Sequence, residues 1–227
     1  MKKYVVTISI LILAGCSQQA VDDNSDQPDR ASILHAVPFT SQAPFADWKD
    51  PRQQDACEEA STLMAVSWAR GLDLSKEEAL EEILAIAEYE NETFGSNKDT
   101  SAADTASRIL EGYFDFSDYE IKQNISKQQM IDALVAGDIV VMPTYGRGLG
   151  NPNFTGLGPE KHMLVVIGYD SRKDQFITND PGTRKGKEYK YSTDTIMGAI
   201  KNYKTSGAES INGKVNEVII ISRISES

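Results

Sequence analysis

His162-Met-Leu-Val-Val-Ile-Gly168 is an unbroken apolar run, opened by a histidine and closed by a glycine, just after a Gly- and Pro-rich loop. Its length, its Val/Ile content and its turn-forming borders read as a buried β-strand. Working outward, Asp138-Ile-Val-Val-Met-Pro143 precedes it as a second buried strand. Gln175-Phe-Ile-Thr178 follows as a third, and Val218-Ile-Ile-Ile221 gives a fourth near the C-terminus. Ser192 to Tyr203 reads as a short helix between them. The earlier half has the other period. Asp55 and Glu58 have capping-box spacing, and Ala60, Leu63, Met64, Ser67 and Trp68 recur at helical intervals, predicting a helix from about Cys57 to Gly71. A second helix opens at Ser75-Lys-Glu-Glu78 and carries Ala79, Leu80, Ile83, Leu84 and Ala87. A third covers Ser101 to Tyr113. A fourth opens at Ser126-Lys-Gln-Gln129, turns Met130, Ile131, Leu134 and Val135 inward and stops at Gly137. Ile33 to Phe39 is a short leading strand. Helices first and strands afterwards predict an α+β fold, with a helical layer packed on an antiparallel sheet. A cleft between those layers would face Cys57 toward His162.

The N-terminus reads differently. Met1-Lys2-Lys3 is basic, Tyr4 to Ala14 is apolar, and Leu13-Ala14-Gly15-Cys16 closes the run. The pattern resembles the signal of a bacterial lipoprotein, being too short to span a bilayer comfortably. The expected organisation is a signal peptide over residues 1–15, lipidated Cys16 with a polar tether through residue 32, and one domain over residues 33–227. The acylated end would hold the chain at the extracytoplasmic face of a membrane.

Of 23 basic residues, all but Lys2 and Lys3 would remain after cleavage, against 34 acidic ones, a formal charge of −13 where the full chain has −11. That balance argues against nucleic acid and against a polybasic membrane patch. The expected partners are a peptide or cell-wall peptide and, through the lipid, the membrane; the expected state is a monomer. No His/Cys/Asp cluster has metal-ligand spacing, so neither zinc nor another cofactor is predicted.

With Cys16 assigned to lipid, Cys57 has no intramolecular disulfide partner. A solitary cysteine is more often a buried small hydrophobe than a nucleophile. A helix N-terminus and a nearby imidazolium are the two devices that turn a thiol into a thiolate, and Cys57 supplies the first. Only His35 and His162 can supply the second. His35 lies beside the tether and reads as a surface residue, whereas His162 opens a strand beside a loop. Asn179 and Asp180, at the end of the next strand, could hold the imidazole tautomer, although Asp180-Pro181-Gly182 is also a natural turn. Trp48 and Phe45 are candidates for the cleft wall, the Gly146–Gly158 stretch for a flexible border, and the acidic run Glu77 to Glu92 for a solvated helix face.

Val37-Pro-Phe-Thr-Ser-Gln42, Cys57-Glu-Glu-Ala-Ser61, Lys161-His-Met-Leu-Val-Val-Ile-Gly-Tyr-Asp170 and Asn179-Asp-Pro-Gly182 together resemble the bacteriocin-leader-peptidase-like, or double-glycine-peptidase-like, family of papain-fold cysteine peptidases. The resemblance spans about residues 33–203. It implies Cys57 as nucleophile, His162 as base and then acid, Asp180 as orienting residue and Gln42 as oxyanion donor. It departs in two places. Many members carry a small pair after the nucleophile, where this chain has Glu58-Glu59, and Gln42 lies farther from the cysteine than usual, so Gln53 or Gln54 could donate instead. The implied activity is hydrolysis of an amide through an acyl-enzyme. An acyltransferase using the same triad, or a noncatalytic peptide-binding lipoprotein on the same fold, are the alternatives. No transporter segment accompanies the domain, which argues against leader processing.

Overall fold

The computed structural model describes Met1 and residues 32–207, 211 and 215–224. The signal segment, Cys16 and nearly all of the tether lie outside the described residues. Seven antiparallel strands form one sheet: β1 (Ile33–Leu34), β2 (Tyr119–Gln123), β3 (Ile139–Tyr145), β4 (Lys161–Asp170), β5 (Gln175–Asn179), β6 (Tyr189–Ser192) and β7 (Glu217–Ile221). Their order is β2-β7-β3-β4-β5-β6, with β1 pairing on β4. The helices are α1 (Pro51–Gln54), α2 (Cys57–Ala69), α3 (Lys76–Phe94), α4 (Ala102–Asp104, continuing as a π-helical segment over Thr105–Tyr113), α5 (Lys127–Ala136) and α6 (Thr193–Ala199).

The central strands are apolar on both faces because both faces are covered. Val141, Met163, Val165, Ile167 and Ile219 share one core with α2, α3 and the π-helical segment. Val140, Met142, Leu164, Val166 and Val218 share the other with α5 and α6. The arrangement is therefore fuller than a single helical layer on a sheet: the later helices close the second face, as continuous apolar strands require. Every residue of α2 is buried, and the helix runs between β4 and β3 on one side and α3 with the π-helical segment on the other. Cys57 thus starts its helix deep in the molecule.

Local signals account for most element ends. Ser75 with Glu78 and Ser126 with Gln129 form complete capping boxes, and Gly95 and Gly137 close α3 and α5 in left-handed conformations. Three expectations need correction. The leading strand stops at Leu34; beyond it the carbonyls of Val37 and Pro38 are taken by the Asn179 side chain, at 3.2 and 3.3 Å, instead of by a strand ladder. Val135 is 64% exposed, because the inward face of α5 is completed by Met130, Ile131, Ala133 and Leu134. His35 is half-buried, with Nε2 bonded to the Leu134 carbonyl at 2.9 Å, so it is not a simple surface residue.

Candidate active site

α2 begins at Cys57 without a side-chain cap, its N-cap being Ala56. The Cys57 backbone N–H is therefore one of the first-turn amides with no intrahelical acceptor. Asp55 does not form the expected capping box; it pairs with Lys98 at 3.1 Å. Glu58 turns inward instead. Its Oε2 accepts from Cys57 Sγ at 3.0 Å and its Oε1 from the Tyr203 hydroxyl at 2.6 Å. Glu59 is wholly buried as well, with Oε1 accepting from Asn97 Nδ2 at 3.0 Å. Burial, then the charge and hydrogen bond of Glu58, then Glu59 push the Cys57 thiol well above its ordinary pKa, while the Met163 backbone amide works the other way.

His162 enters from the second position of β4 and is 1% exposed. Its Nε2 meets Asp180 Oδ1 at 2.8 Å. An ionised carboxylate only accepts, so Nε2 carries the hydrogen and Nδ1 remains for a second partner. The Phe154 ring stands edge-on to the imidazole, 5.4 Å between centroids. Asp180 follows β5 and is fully buried, yet both of its oxygens are served. Oδ1 also accepts from the Gly182 amide at 3.0 Å, and Oδ2 from the Tyr191 hydroxyl at 2.6 Å and from Asn151 Nδ2 at 3.3 Å. Burial alone would raise this carboxyl; the His162 charge and the hydrogen bonds from His162, Tyr191 and Gly182 outweigh it and hold the group below the usual carboxylate range. The turn over Asp180 depends on Gly186, where a Cβ would come within 1.8 Å of the Asp180 carbonyl oxygen.

Gln42 lies where its backbone N–H bonds the Pro181 carbonyl at 3.0 Å. Its side-chain amide donates to the Gln53 and Gln54 carbonyls at 3.0 and 2.7 Å. Both amide hydrogens are thus engaged, and one must be released before Gln42 can serve an oxyanion. Gln42, Cys57 and His162 line one cleft of about 960 Å³, which Gln54 also reaches and Gln53 does not. Asn179 does not take the place of Asp180; it ties down Val37 and Pro38. Trp48 borders the cleft, whereas Phe45 is outside it. The Gly146–Gly158 stretch does border the cleft, through Asn153, Phe154 and Thr155. Sequence reasoning missed Tyr191, Asn151 and Tyr203, none of which carries a local signal. It also misread Glu90 as solvated: Glu90 is buried beneath α2 on α3, its carboxyl raised to about 8 by burial first and Glu58 second.

A family model described as the Peptidase_C39 like family matches residues 34–211, covering every one of these groups. The chain belongs to that family. Two solved structures resemble this Peptidase_C39 like chain. A Bacillus anthracis protein described as a C39-like peptidase is 17% identical, with 86% of this chain and 99% of that one covered at a TM-score of 0.52. The peptidase domain of Streptococcus ComA, a bi-functional ABC transporter of a quorum-sensing pathway, is 14% identical, with 84% and 98% covered at a TM-score of 0.45. The first likeness shows the fold, a helical and antiparallel-sheet domain of the papain-like C39 type. No curated protein matches the chain.

Proposed function

We propose that this chain is an extracytoplasmic, lipid-anchored cysteine peptidase or amidase acting through Cys57, His162 and Asp180. One observation carries the reading: a buried His162–Asp180 pair at 2.8 Å leaves the imidazole's other nitrogen free in the cleft that holds a helix-starting cysteine. Nδ1 takes the thiol proton, the sulfur lone pair attacks the amide carbonyl, and the carbonyl π pair moves to oxygen. The Cys57 backbone N–H, joined by Gln42 once its amide turns, stabilises that oxyanion, a contribution of about 3 kcal/mol per donor. The tetrahedral carbon collapses, the C–N bond breaks, and imidazolium protonates the leaving amine. Water then attacks the thioester carbonyl, losing its proton to His162; the C–S bond breaks, the sulfur takes back the imidazolium proton, and the acid leaves. Asp180 keeps Nε2 protonated and steadies the imidazolium throughout. The substrate class is an extended peptide or cell-wall peptide outside the membrane, reached from an anchor on Cys16.

A thiol-directed, peptide-based irreversible inhibitor tests this. The expected result is one adduct on Cys57 together with peptide hydrolysis, both lost in His162→Ala. The rival, a noncatalytic peptide-binding lipoprotein, draws support from Glu58 at the sulfur. It would replace the peptidase reading if peptide bound equally well to Cys57→Ala and neither adduct nor hydrolysis formed. Metabolic incorporation of labelled fatty acid, abolished by Cys16→Ser, checks the anchor.

A further inference from the structure

A buried carboxylate touching a nucleophilic sulfur is chemically conspicuous, because like charge opposes the thiolate the reaction requires. Glu58 is 1% exposed, and both of its oxygens have donors: the Cys57 thiol at 3.0 Å and the Tyr203 hydroxyl at 2.6 Å. Among the described residues, Sγ makes its side-chain hydrogen bond to Glu58 and none to His162. We propose that Glu58, anchored by Tyr203, acts on the reacting sulfur directly, accepting the thiol hydrogen and holding substrate-free Cys57 protonated and turned away from His162. This inference rests on the peptidase reading of the same site.

The release step is a rotation about the Cys57 Cα–Cβ bond. The S–H hydrogen leaves Glu58 Oε2 and donates to His162 Nδ1. The proton then passes to Nδ1, and the electron pair of the S–H bond stays on sulfur. Glu58 retains its Tyr203 bond. No further reactant is needed. The surroundings keep this latch biased toward the thiol. Burial first, then Glu58 and then Glu59 push the thiol up, while burial first, with Asp99 also contributing, pushes the Glu58 carboxyl up. Lys161 bonds Asp99 at 3.2 Å and stands 5.7 Å from the Tyr203 ring, which limits the charge behind the tyrosine. A resting thiol also resists the stepwise oxidation that an exposed, standing thiolate invites.

The test is iodoacetamide alkylation of Cys57 from pH 5 to 9 on the full chain in detergent, with circular dichroism confirming the fold. Wild type should react slowly at pH 7 and accelerate only at alkaline pH. Glu58→Gln should react about tenfold faster at pH 7, with its midpoint moved down by about one unit, and peroxide should oxidise it faster. Tyr203→Phe should move the same way by a smaller factor, and it decides the matter if Glu58→Gln does not fold. A folded Glu58→Gln within twofold of wild type, or slower, overturns the proposal. Adding His162→Ala to Glu58→Gln separates the two readings. Loss of the gain supports both the latch and the dyad, whereas a gain that survives supports the latch and removes the peptidase. Wild type already fast at pH 6 and dependent on His162 keeps the peptidase and overturns the latch.

Discussion

Two buried acidic regions flank this cleft, and they have opposite characters. Asp180 sits behind His162 with four donors on its two oxygens and is held below the usual carboxylate range. Beneath α2, Glu59 Oε2 and both Glu90 oxygens find no donor among the described residues, and burial raises both carboxyls. Burial is common to both regions. What separates them is donors: a buried charge that collects hydrogen bonds and an imidazolium stays a charge, and one that does not takes up a proton. Behind the imidazole the protein maintains a charge, and beneath Cys57, at Glu59 and Glu90, it resists one.

The largest effect should come from disabling the satisfied side. On the proposed peptidase reading, Asp180→Ala should lower kcat/KM by about 10²–10⁴-fold with little change in KM, because nothing then accepts from His162 Nε2 and holds its tautomer; steady-state kinetics on a cleaved peptide checks this. Next, Glu90→Gln should stabilise the protein by on the order of 2–4 kcal/mol at pH 8 and by almost nothing at pH 4. The sign follows from the raised carboxyl. Below its unfolded pKa, both states are protonated and the group costs nothing; as pH rises toward about 8, only the unfolded chain ionises, so stability falls across that window. Thermal melts at both pH values should therefore converge in acid and separate in base. A smaller change is expected from Tyr191→Phe, which removes the 2.6 Å donor to Asp180. It should cost about 1–2 kcal/mol near neutrality. Asp180 contributes stability above its unfolded pKa and loses it as pH falls through the lower folded value, so the variant's acid melting limb should shift to higher pH. The smallest effect should be at Val135, outside both regions: Val135→Lys should stay within about 0.5 kcal/mol in urea unfolding, and a larger loss would mean that this face of α5 is covered.

The parts of this arrangement that were readable in the sequence are those written locally. Ser75/Glu78 and Ser126/Gln129 announce their helices within four residues, and the runs through β3, β4, β5 and β7 are apolar enough to stand out. β2 and β6 were missed because Tyr119-Glu-Ile-Lys-Gln123 and Tyr189-Lys-Tyr-Ser192 are the sheet's outer strands, half polar as edges are. That Cys57 faces His162 across a cleft followed from the order of elements, whereas Gln42 came only from the family resemblance. The supporting groups did not. Asn151 and Tyr191 reach Asp180 across 29 and 11 residues, and Tyr203 reaches Glu58 across 145. Glu58 itself was misread because an acid in a first turn suits a helix whether it faces solvent or core, and the sequence does not say which.

The segment that carries Gln42 has a consequence for the order in which the molecule is made. His35 bonds Ile167, Val37 bonds Asn179 across 142 residues, and Gln42 bonds Pro181. These contacts close large loops, and such closures come slowly in folding. A chain emerging N-terminus first therefore displays Cys57 long before the strands that complete its cleft exist. Every copy passes through a period in which Cys57 is present and the cleft around it is not, and that cleft is completed only with the last third of the polypeptide.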